Sequence, residues 1–242
     1  MRVPPAIKEG LNYARSLIYP DRCCFCGKVI GYKDRICPRC SERLPFIGED
    51  RCWSCGNAAR ECNCSEFVIH HYTAIVGTFK YMNEIRKGIV DWKFFGKTEC
   101  FKFFTHALAE TVRRCYGDFG IDFITFIPQH KDEIAEGKVN TSELLAREVG
   151  RILKIPVKQV LVKTFPNKKQ HTLPWYRKSG NVAGVYKCIH EDEVKGKVVL
   201  LIDDVKTSGS TLNECTKMLL IGRADFVYCA VLAVNGYYVN PE

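Results

Sequence analysis

Apolar positions along the chain follow two alternating patterns after about residue 70. Continuous apolar runs, typical of strands buried on both faces of a parallel sheet, alternate with segments whose apolar residues recur at helical spacing. This alternation implies crossover connections and an α/β fold with a mostly parallel sheet flanked by helices. The predicted strands are Tyr72–Tyr81, Asp122–Ile127, Lys197–Asp203 and Phe226–Val234. The predicted helices are Asn83–Phe95, Thr98–Tyr116, Thr141–Leu153 and Ser210–Gly222.

The first part of the chain lacks this alternation. Helical spacing of apolar residues predicts a short amphipathic helix over Pro5–Ile18, which we expect to pack on its own protein. Loops rich in Cys, Arg and Gly follow, and near residues 65–71 they give way to the alternating apolar runs and helical patterns. The predicted organisation is an N-terminal helix within residues 1–22, a small cysteine-rich module over 23–68 and an α/β domain over 69–242.

Nine of the fourteen cysteines precede residue 65, and eight of them form four close pairs, with Cys24 as the ninth. Three pairs have the Cys-x-x-Cys spacing of a zinc knuckle, and in two of them Gly follows where a tight turn needs positive φ. Sequential pairing predicts two closed, structural zinc sites. Disulfides and a ribbon that has lost one metal are the alternatives. Cys24 competes with Cys23, and His70 or His71 can replace a ligand of the second site. The predicted ligands are Cys23, Cys26, Cys37 and Cys40 for one ion and Cys52, Cys55, Cys62 and Cys64 for the other.

Composition narrows the class of protein further. The 242 residues are 46% hydrophobic, with no apolar run of about 18 residues and no signal-peptide pattern, so we expect a cytoplasmic protein without membrane insertion. The formal net charge is +9, and residues 149–190 contain nine Lys or Arg and no acid. Because basic and acidic residues are equal in number in the rest of the chain, this one segment accounts for the whole net positive charge.

The residues of Val199–Thr211 are the most informative in the sequence about a ligand site. A buried strand ends in Asp203 and Asp204, and a loop with Gly209 and several hydroxyls leads into a helix. Free amides at a helix N-terminus attract an anion, and ligands bind at the carboxyl ends of strands in open α/β sheets. Two carboxylates beside a phosphate favour hydroxyl partners or hydrated Mg2+. The predicted ligand is therefore a 5-phosphorylated ribose, with its diol at the acids.

Val199–Thr211 also resembles the phosphoribosyl pyrophosphate (PRPP) motif of type I phosphoribosyltransferases. With the zinc ribbon before it, essentially the whole chain resembles the ComF family, including the GntX-like proteins. Shorter matches to that family are Tyr81, Lys93-Phe94 and Gly96, Pro128 with His130, Gly137 and Asn140 before Glu143, and Gln170 with Arg177, Asn181 and Gly184. The segment Lys131–Ser142 departs from the family, because acids partly replace its arginines.

The resemblance implies a possible phosphoribosyl transfer from PRPP, in which diphosphate is displaced at the anomeric carbon. Asp203 and Asp204 would hold the ribose diol and Mg2+, and Lys93 would neutralise the leaving diphosphate. Lys206, Lys168 and Lys169 are further candidates for that last role, and His130 can contact substrate or be structural. The PRPP-binding residues implied are Asp203, Asp204, Val205, Lys206, Thr207, Ser208, Gly209, Ser210 and Thr211.

The resemblance also implies a part in DNA uptake during natural competence. In the alternative function, the protein is a non-catalytic single-stranded DNA-binding or competence adaptor protein that uses the fold as a phosphate scaffold. Phe165, Trp175 and Tyr176 lie within the basic segment as possible stacking surfaces. The same segment suits diphosphate equally well.

Overall fold

In a computed structural model, the described residues are 5–32, 34–62, 64, 70–96, 100–165 and 184–236. The helices within these ranges are α1 (Pro5–Ile18), α2 (Pro38–Ser41), α3 (Asn83–Phe95), α4 (Phe101–Tyr116), α5 (Lys131–Ala135), α6 (Thr141–Leu153), α7 (Glu191–Val194) and α8 (Ser210–Ile221). The strands are β1 (Ala74–Lys80), β2 (Phe123–Phe126), β3 (Leu161–Lys163), β4 (Tyr186–Cys188), β5 (Val198–Lys206) and β6 (Phe226–Val234), and Ala59–Glu61 forms a 3-10 turn.

The chain divides into two compact units. The first comprises residues 1–45 and 83–104, and the second comprises residues 46–82 and 105–242. One predicted zinc cluster lies in each unit, and the second cluster shares its unit with the main sheet. The boundary predicted near residues 65–71 stays a prediction.

The main sheet has four parallel strands in the order β1-β6-β5-β2. Its central strands are apolar and buried, as the continuous runs predicted: Leu200, Leu201 and Cys229 have no exposed surface. Helix α6 packs on β5 and β2, and α8 packs on β5 and β6. The predicted fold class, a mostly parallel sheet flanked by helices with a small zinc ribbon, is confirmed.

A second, two-stranded sheet pairs β3 with β4 in antiparallel fashion, with Val162 opposite Lys187. The sequence pattern did not predict it. Each of its strands has only three residues, too few to show an alternation of apolar and polar positions. This small sheet becomes relevant below because Lys163 and Tyr186 belong to it.

Helix α1 has the predicted bounds but not the predicted packing. Its apolar residues Ile7, Leu11, Leu17 and Ile18 are 56%, 63%, 70% and 75% exposed. The expectation that this face packs on its own protein is therefore wrong, because the described residues leave it in solvent. Among the described residues, no helix combines the length and the apolar character needed to cross a bilayer.

Candidate functional site

The loop that follows β5 has the geometry of an anion cradle. Gly209 adopts φ +79° and caps the N-terminus of α8, a conformation that favours glycine. Thr207 and Ser208 are exposed, and the hydroxyls of Ser208 and Ser210 lie 2.9 Å apart. The first amides of an α-helix have no carbonyl partner within the helix. The loop therefore presents hydroxyls beside the positive end of a helix of 12 residues.

The two acids near the end of β5 form hydrogen bonds with the first turn of α6. Asp203 Oδ1 accepts hydrogen bonds from Ser142 Oγ at 2.7 Å and from the Asp204 amide at 2.8 Å. Thr141 Oγ1 donates to Asp204 Oδ2. Asp204 is buried, whereas Asp203 is half-buried and more accessible to a ligand. The hydroxyl partners that the structure gives these acids come from the protein, and the ribose diol predicted for them stays a prediction.

Helix α6 is itself anchored next to the sheet. The Asn140 side chain accepts from the Glu143 amide at 3.1 Å and donates to the Ile127 carbonyl at 3.1 Å. This cap ties the start of α6 to the end of β2, one strand away from the acids. Thr141 and Ser142 were not among the predicted site residues. The signal available was the run Asn140-Thr141-Ser142-Glu143, which is typical of a helix N-terminus.

The small β3–β4 sheet contributes two polar side chains, of which Tyr186 contacts the start of α8. The Tyr186 phenol contacts the Thr211 hydroxyl, and burial raises the pKa of Tyr186, with the Asp203 charge adding to that effect. Lys163 Nζ lies 2.9 Å from Glu133 Oε2, and the lysine side chain is only 5% exposed. Both side chains come from strands that the sequence pattern missed.

His130 has a structural role in this geometry. It is buried, its Nδ1 accepts the Asp132 amide at 3.2 Å, and its own amide donates to Glu133 Oε2 at 2.9 Å. These contacts form a capping box at the start of α5. Of the acids in this segment, Glu133 thus both caps α5 and pairs with Lys163.

The first cysteine cluster brings together the four predicted ligands in the first unit. Their sulfur atoms lie within 4.8 Å of one another, and Cys26 Sγ and Cys37 Sγ are 3.7 Å apart. Tetrahedral zinc with Zn–S distances near 2.3 Å separates its sulfurs by about 3.8 Å. Burial raises the pKa of Cys23, but amides of Cys37, Cys26 and Phe25 outweigh it and lower that pKa to about 6. The cluster therefore fits structural zinc and stabilises a thiolate.

The second cluster, in the second unit, has the same chemistry. Cys52 Sγ and Cys64 Sγ are 3.9 Å apart, and all four sulfurs lie within 4.8 Å of one another. Burial raises the pKa of Cys52, but hydrogen bonds from Cys62, Ser54 and Cys55 lower it to about 7. The His70 ring instead stacks on Tyr72 at 4.8 Å. Among the described residues, the metal-binding groups contain neither histidine nor Cys24.

The knuckle of the second cluster, residues 52–56, covers the edge of the main sheet. The Ile75 amide donates to the Trp53 carbonyl at 2.9 Å, and the Gly77 amide donates to the Gly56 carbonyl at 3.2 Å. Strand β1 is an edge strand, so these bonds satisfy backbone groups that β6 does not reach. Gly56 has φ +78° at the turn, as predicted.

Lys206 is the last residue of β5, directly before the loop, and is buried. A Cβ placed on Gly209 would come within 3.0 Å of Lys206 Cε and 3.7 Å of its Nζ, so the ammonium group lies close to the loop backbone. Burial lowers the pKa of Lys206, and the charges of Cys55, Cys64, Cys52 and Cys62 oppose that shift.

Several predicted residues cannot be placed beside the loop. Lys93 lies in the last turn of α3 in the first unit, so its role stays a prediction. Within the basic segment, three described cations form ion pairs: Lys158 with Glu193, Lys163 with Glu133, and Arg151 with Glu148. The positions that lie outside the described residues are Lys168, Lys169, Gln170, Trp175, Tyr176, Arg177, Lys178 and Asn181.

The acids fit magnesium only as an ion shared with a ligand. The described residues hold no group of three or more potential metal ligands at Asp203 and Asp204. Mg2+ commonly binds through one or two carboxylates together with substrate phosphates and water. Asp203 and Asp204 meet that requirement if a diphosphate supplies the remaining oxygens.

Comparison with known proteins supports the zinc ribbons directly. Residues 14–68 match the family model described as a double zinc ribbon domain. No curated protein gives a significant match.

Solved phosphoribosyltransferases resemble part of the chain. A glutamine PRPP amidotransferase from B. subtilis aligns with 17% identity and a TM-score of 0.40, over 59% of this chain and 30% of that one. A purine phosphoribosyltransferase from Pyrococcus horikoshii aligns with 21% identity and a TM-score of 0.35, over 55% and 71%. A hypoxanthine phosphoribosyl transferase from Trypanosoma cruzi aligns with 17% identity and a TM-score of 0.38, over 57% of this chain and 67% of that one. Because these values are low, we base the proposed function on the loop residues.

Proposed function

We propose that this protein binds a 5-phosphorylated ribose, PRPP in particular, in the loop from Asp203 to Thr211. One observation carries the proposal: the paired acids lie near the end of a buried parallel strand, and a short loop connects that strand to a left-handed glycine at a helix N-terminus. Phosphate favours the helix end and the loop hydroxyls, whereas the acids favour hydroxyl groups. A phosphorylated ribose carries both groups in one molecule.

Each part of the loop has a role in this account. Thr207, Ser208 and Ser210 donate hydroxyl hydrogens to the 5-phosphate, and Gly209 lets the backbone approach it closely. Asp203, the more exposed acid, accepts from the ribose diol. Asp204 is buried and holds the strand end against Thr141. When bound, Mg2+ supplies positive charge to the diphosphate of PRPP.

We further propose that the chain has the type I phosphoribosyltransferase fold and a function related to the ComF family. If it transfers the phosphoribosyl group, the C–O bond between the anomeric carbon and diphosphate breaks as an acceptor forms the new bond. The protein's contribution is to orient the ribose and to offset the charge of the diphosphate. Lys206 is the candidate for that charge within the second unit, and the role that the resemblance implies for Lys93 stays a prediction.

DNA binding and a part in competence stay predictions of the resemblance. The three ion pairs in the basic segment reduce the positive charge that its described residues offer to a polyanion. The phosphoribosyl function is therefore the one that the described geometry favours.

Calorimetric titration of the zinc-loaded protein with PRPP and Mg2+ tests this proposal. We expect binding heat with the natural protein and none with the Asp203→Asn, Asp204→Asn double variant. Asp118→Asn, which changes an exposed acid elsewhere in the second unit, should bind like the natural protein. Circular dichroism and zinc content check that each variant is folded. Absence of binding by the folded natural protein would rule out the phosphoribosyl function.

A further inference from the structure

Three hydrogen bonds, joined by the covalent chain between them, connect the knuckle of the second zinc cluster to the phosphate loop. The Tyr72 hydroxyl donates to the carbonyl oxygen of Ser54, within the zinc knuckle, at 2.7 Å. The amide of the preceding residue, His71, donates to Asn213 Oδ1 at 2.6 Å. The Asn213 amide in turn donates to the carbonyl of Gly209 at 2.9 Å. Three bonds thus join the knuckle to the glycine of the loop.

The first of these bonds is part-buried and depends on a protonated phenol. Tyr72 is 6% exposed, and burial raises the pKa of its hydroxyl, which keeps it a donor. A buried polar group that loses its partner costs more than an exposed one, because water cannot replace the bond. Tyr72 is therefore placed to hold the knuckle and residues 71–72 in one arrangement.

The knuckle end of the series depends on metal. Without an ion, four cysteine sulfurs within 4.8 Å of one another have no common ligand to hold them together. Structural zinc sites contribute their binding free energy to the fold around them. Zinc therefore fixes the Ser54 carbonyl, and that carbonyl fixes Tyr72.

The charges of the zinc cluster and of Lys206 also affect the phosphate loop. A zinc ion with four thiolates carries a net charge of about −2, which by itself disfavours a phosphate nearby. The buried Lys206 ammonium interacts with the same four cysteines and lies under Gly209. It offsets the negative cluster at the loop.

We propose that Tyr72 and Asn213 are positioning residues that couple the second zinc cluster to the phosphate loop, so that zinc and a phosphoribosyl ligand strengthen each other's binding. The coupling rests on the proposed function, because it concerns the same loop. Thermodynamic linkage requires it to be reciprocal: the factor by which zinc strengthens ligand binding equals the factor by which ligand strengthens zinc binding.

The first test measures ligand affinity in the full zinc-loaded chain. Ribose 5-phosphate is the probe, since it lacks the diphosphate that would chelate zinc. We expect Tyr72→Phe and Asn213→Ala each to weaken its binding by about 3- to 10-fold, the effect of one lost hydrogen bond. Tyr228→Phe on β6 and Lys217→Ala on the exposed side of α8 are the matched controls and should bind normally.

The second test measures zinc, which a purely local effect on the loop would not change. Equilibrium competition with a chelator gives the affinity of the second cluster, assigned through loss of that ion in Cys62→Ser. Ribose 5-phosphate should raise this affinity severalfold in the natural protein and leave it nearly unchanged in Tyr72→Phe. Asn213→Asp retains an oxygen acceptor for the His71 amide, so it should restore the response that Asn213→Ala loses.

The outcomes separate the two proposals. If the natural protein binds ribose 5-phosphate but its zinc affinity does not respond, or if Tyr72→Phe responds like the natural protein, the coupling is wrong and the proposed function stands. If the natural, folded protein binds neither ribose 5-phosphate nor PRPP, the proposed function fails and the coupling fails with it.

Discussion

Asp203 and Asp204 are neighbours in sequence but differ in environment. Successive side chains of a strand point to opposite faces, so one acid can be buried while the other remains accessible. The structure shows this difference, with Asp204 buried against Thr141 and Asp203 half-buried beside Ser142. The pair of acids was evident from the sequence. Their separate roles were not, because they depend on a helix some 60 residues away in the chain.

Glu133 forms an ion pair with Lys163, whose side chain is almost fully buried. Replacing it by Gln leaves the Lys163 charge without a carboxylate, and we expect the free energy of unfolding at pH 7 to fall by about 1–2 kcal/mol. Burial opposes ionisation of Glu133, but Lys163 and the His130 amide outweigh it and hold its pKa below 4.5. This stabilisation is therefore present above pH 4.5 and is lost as the pH falls through the folded pKa.

Urea unfolding at pH 7 and at pH 3.5 measures this dependence. The difference between the natural protein and Glu133→Gln should shrink at the lower pH. Glu136→Gln removes an exposed ion pair with Lys138 from the same segment and should leave the free energy of unfolding almost unchanged. Because loss of zinc at low pH affects both variants alike, Glu136→Gln also controls for that effect. A pH-independent difference would contradict the assignment.

At the scale of elements, the long segments with a strong period were predictable from the sequence. Helix α6 and strand β6 have the predicted bounds. Strand β5 runs three residues beyond its predicted end at Asp203, because its pairing with β6 continues to Lys206 opposite Val234. Local pattern could not reveal this continuation, since the acids interrupt the apolar run and the pairing involves a distant strand.

The contact between the second knuckle and β1 was equally invisible in the sequence. It depends on close backbone approach at Gly77, where an added Cβ would lie 2.4 Å from Val234 Cγ2 and 2.8 Å from the Gly56 carbonyl oxygen. Gly77 appeared in the sequence only as one residue of a predicted strand. A glycine within a strand can mark such an approach, but it does not identify the approaching segment.

Gly77→Ala tests this contact. Overpacking should lower the free energy of unfolding by about 2 kcal/mol, and displacement of the knuckle should release the second zinc at a lower chelator concentration. Gly48→Ala is the control, since no heavy atom lies within 4 Å of its added Cβ. Denaturant unfolding and chelator titration measure the two effects. A Gly77→Ala protein with natural stability and zinc retention would show that the knuckle does not depend on β1.

At the scale of the whole molecule, eight of the cysteines form two four-cysteine sites that fit zinc, one in each compact unit. We therefore expect two zinc ions per chain by elemental analysis. Cys24→Ser should retain both, because Cys24 lies outside the clusters, whereas Cys40→Ser should retain one. A folded protein with fewer than two zinc ions, or loss of an ion from Cys24→Ser, would contradict this ligand assignment.

A crystal structure of the zinc-loaded protein with PRPP and Mg2+ tests the central claim most directly. The account predicts the 5-phosphate against Thr207, Ser208, Gly209 and Ser210, with the ribose diol at Asp203. PRPP bound at another place, or a loop that stays empty at saturating PRPP, would contradict it.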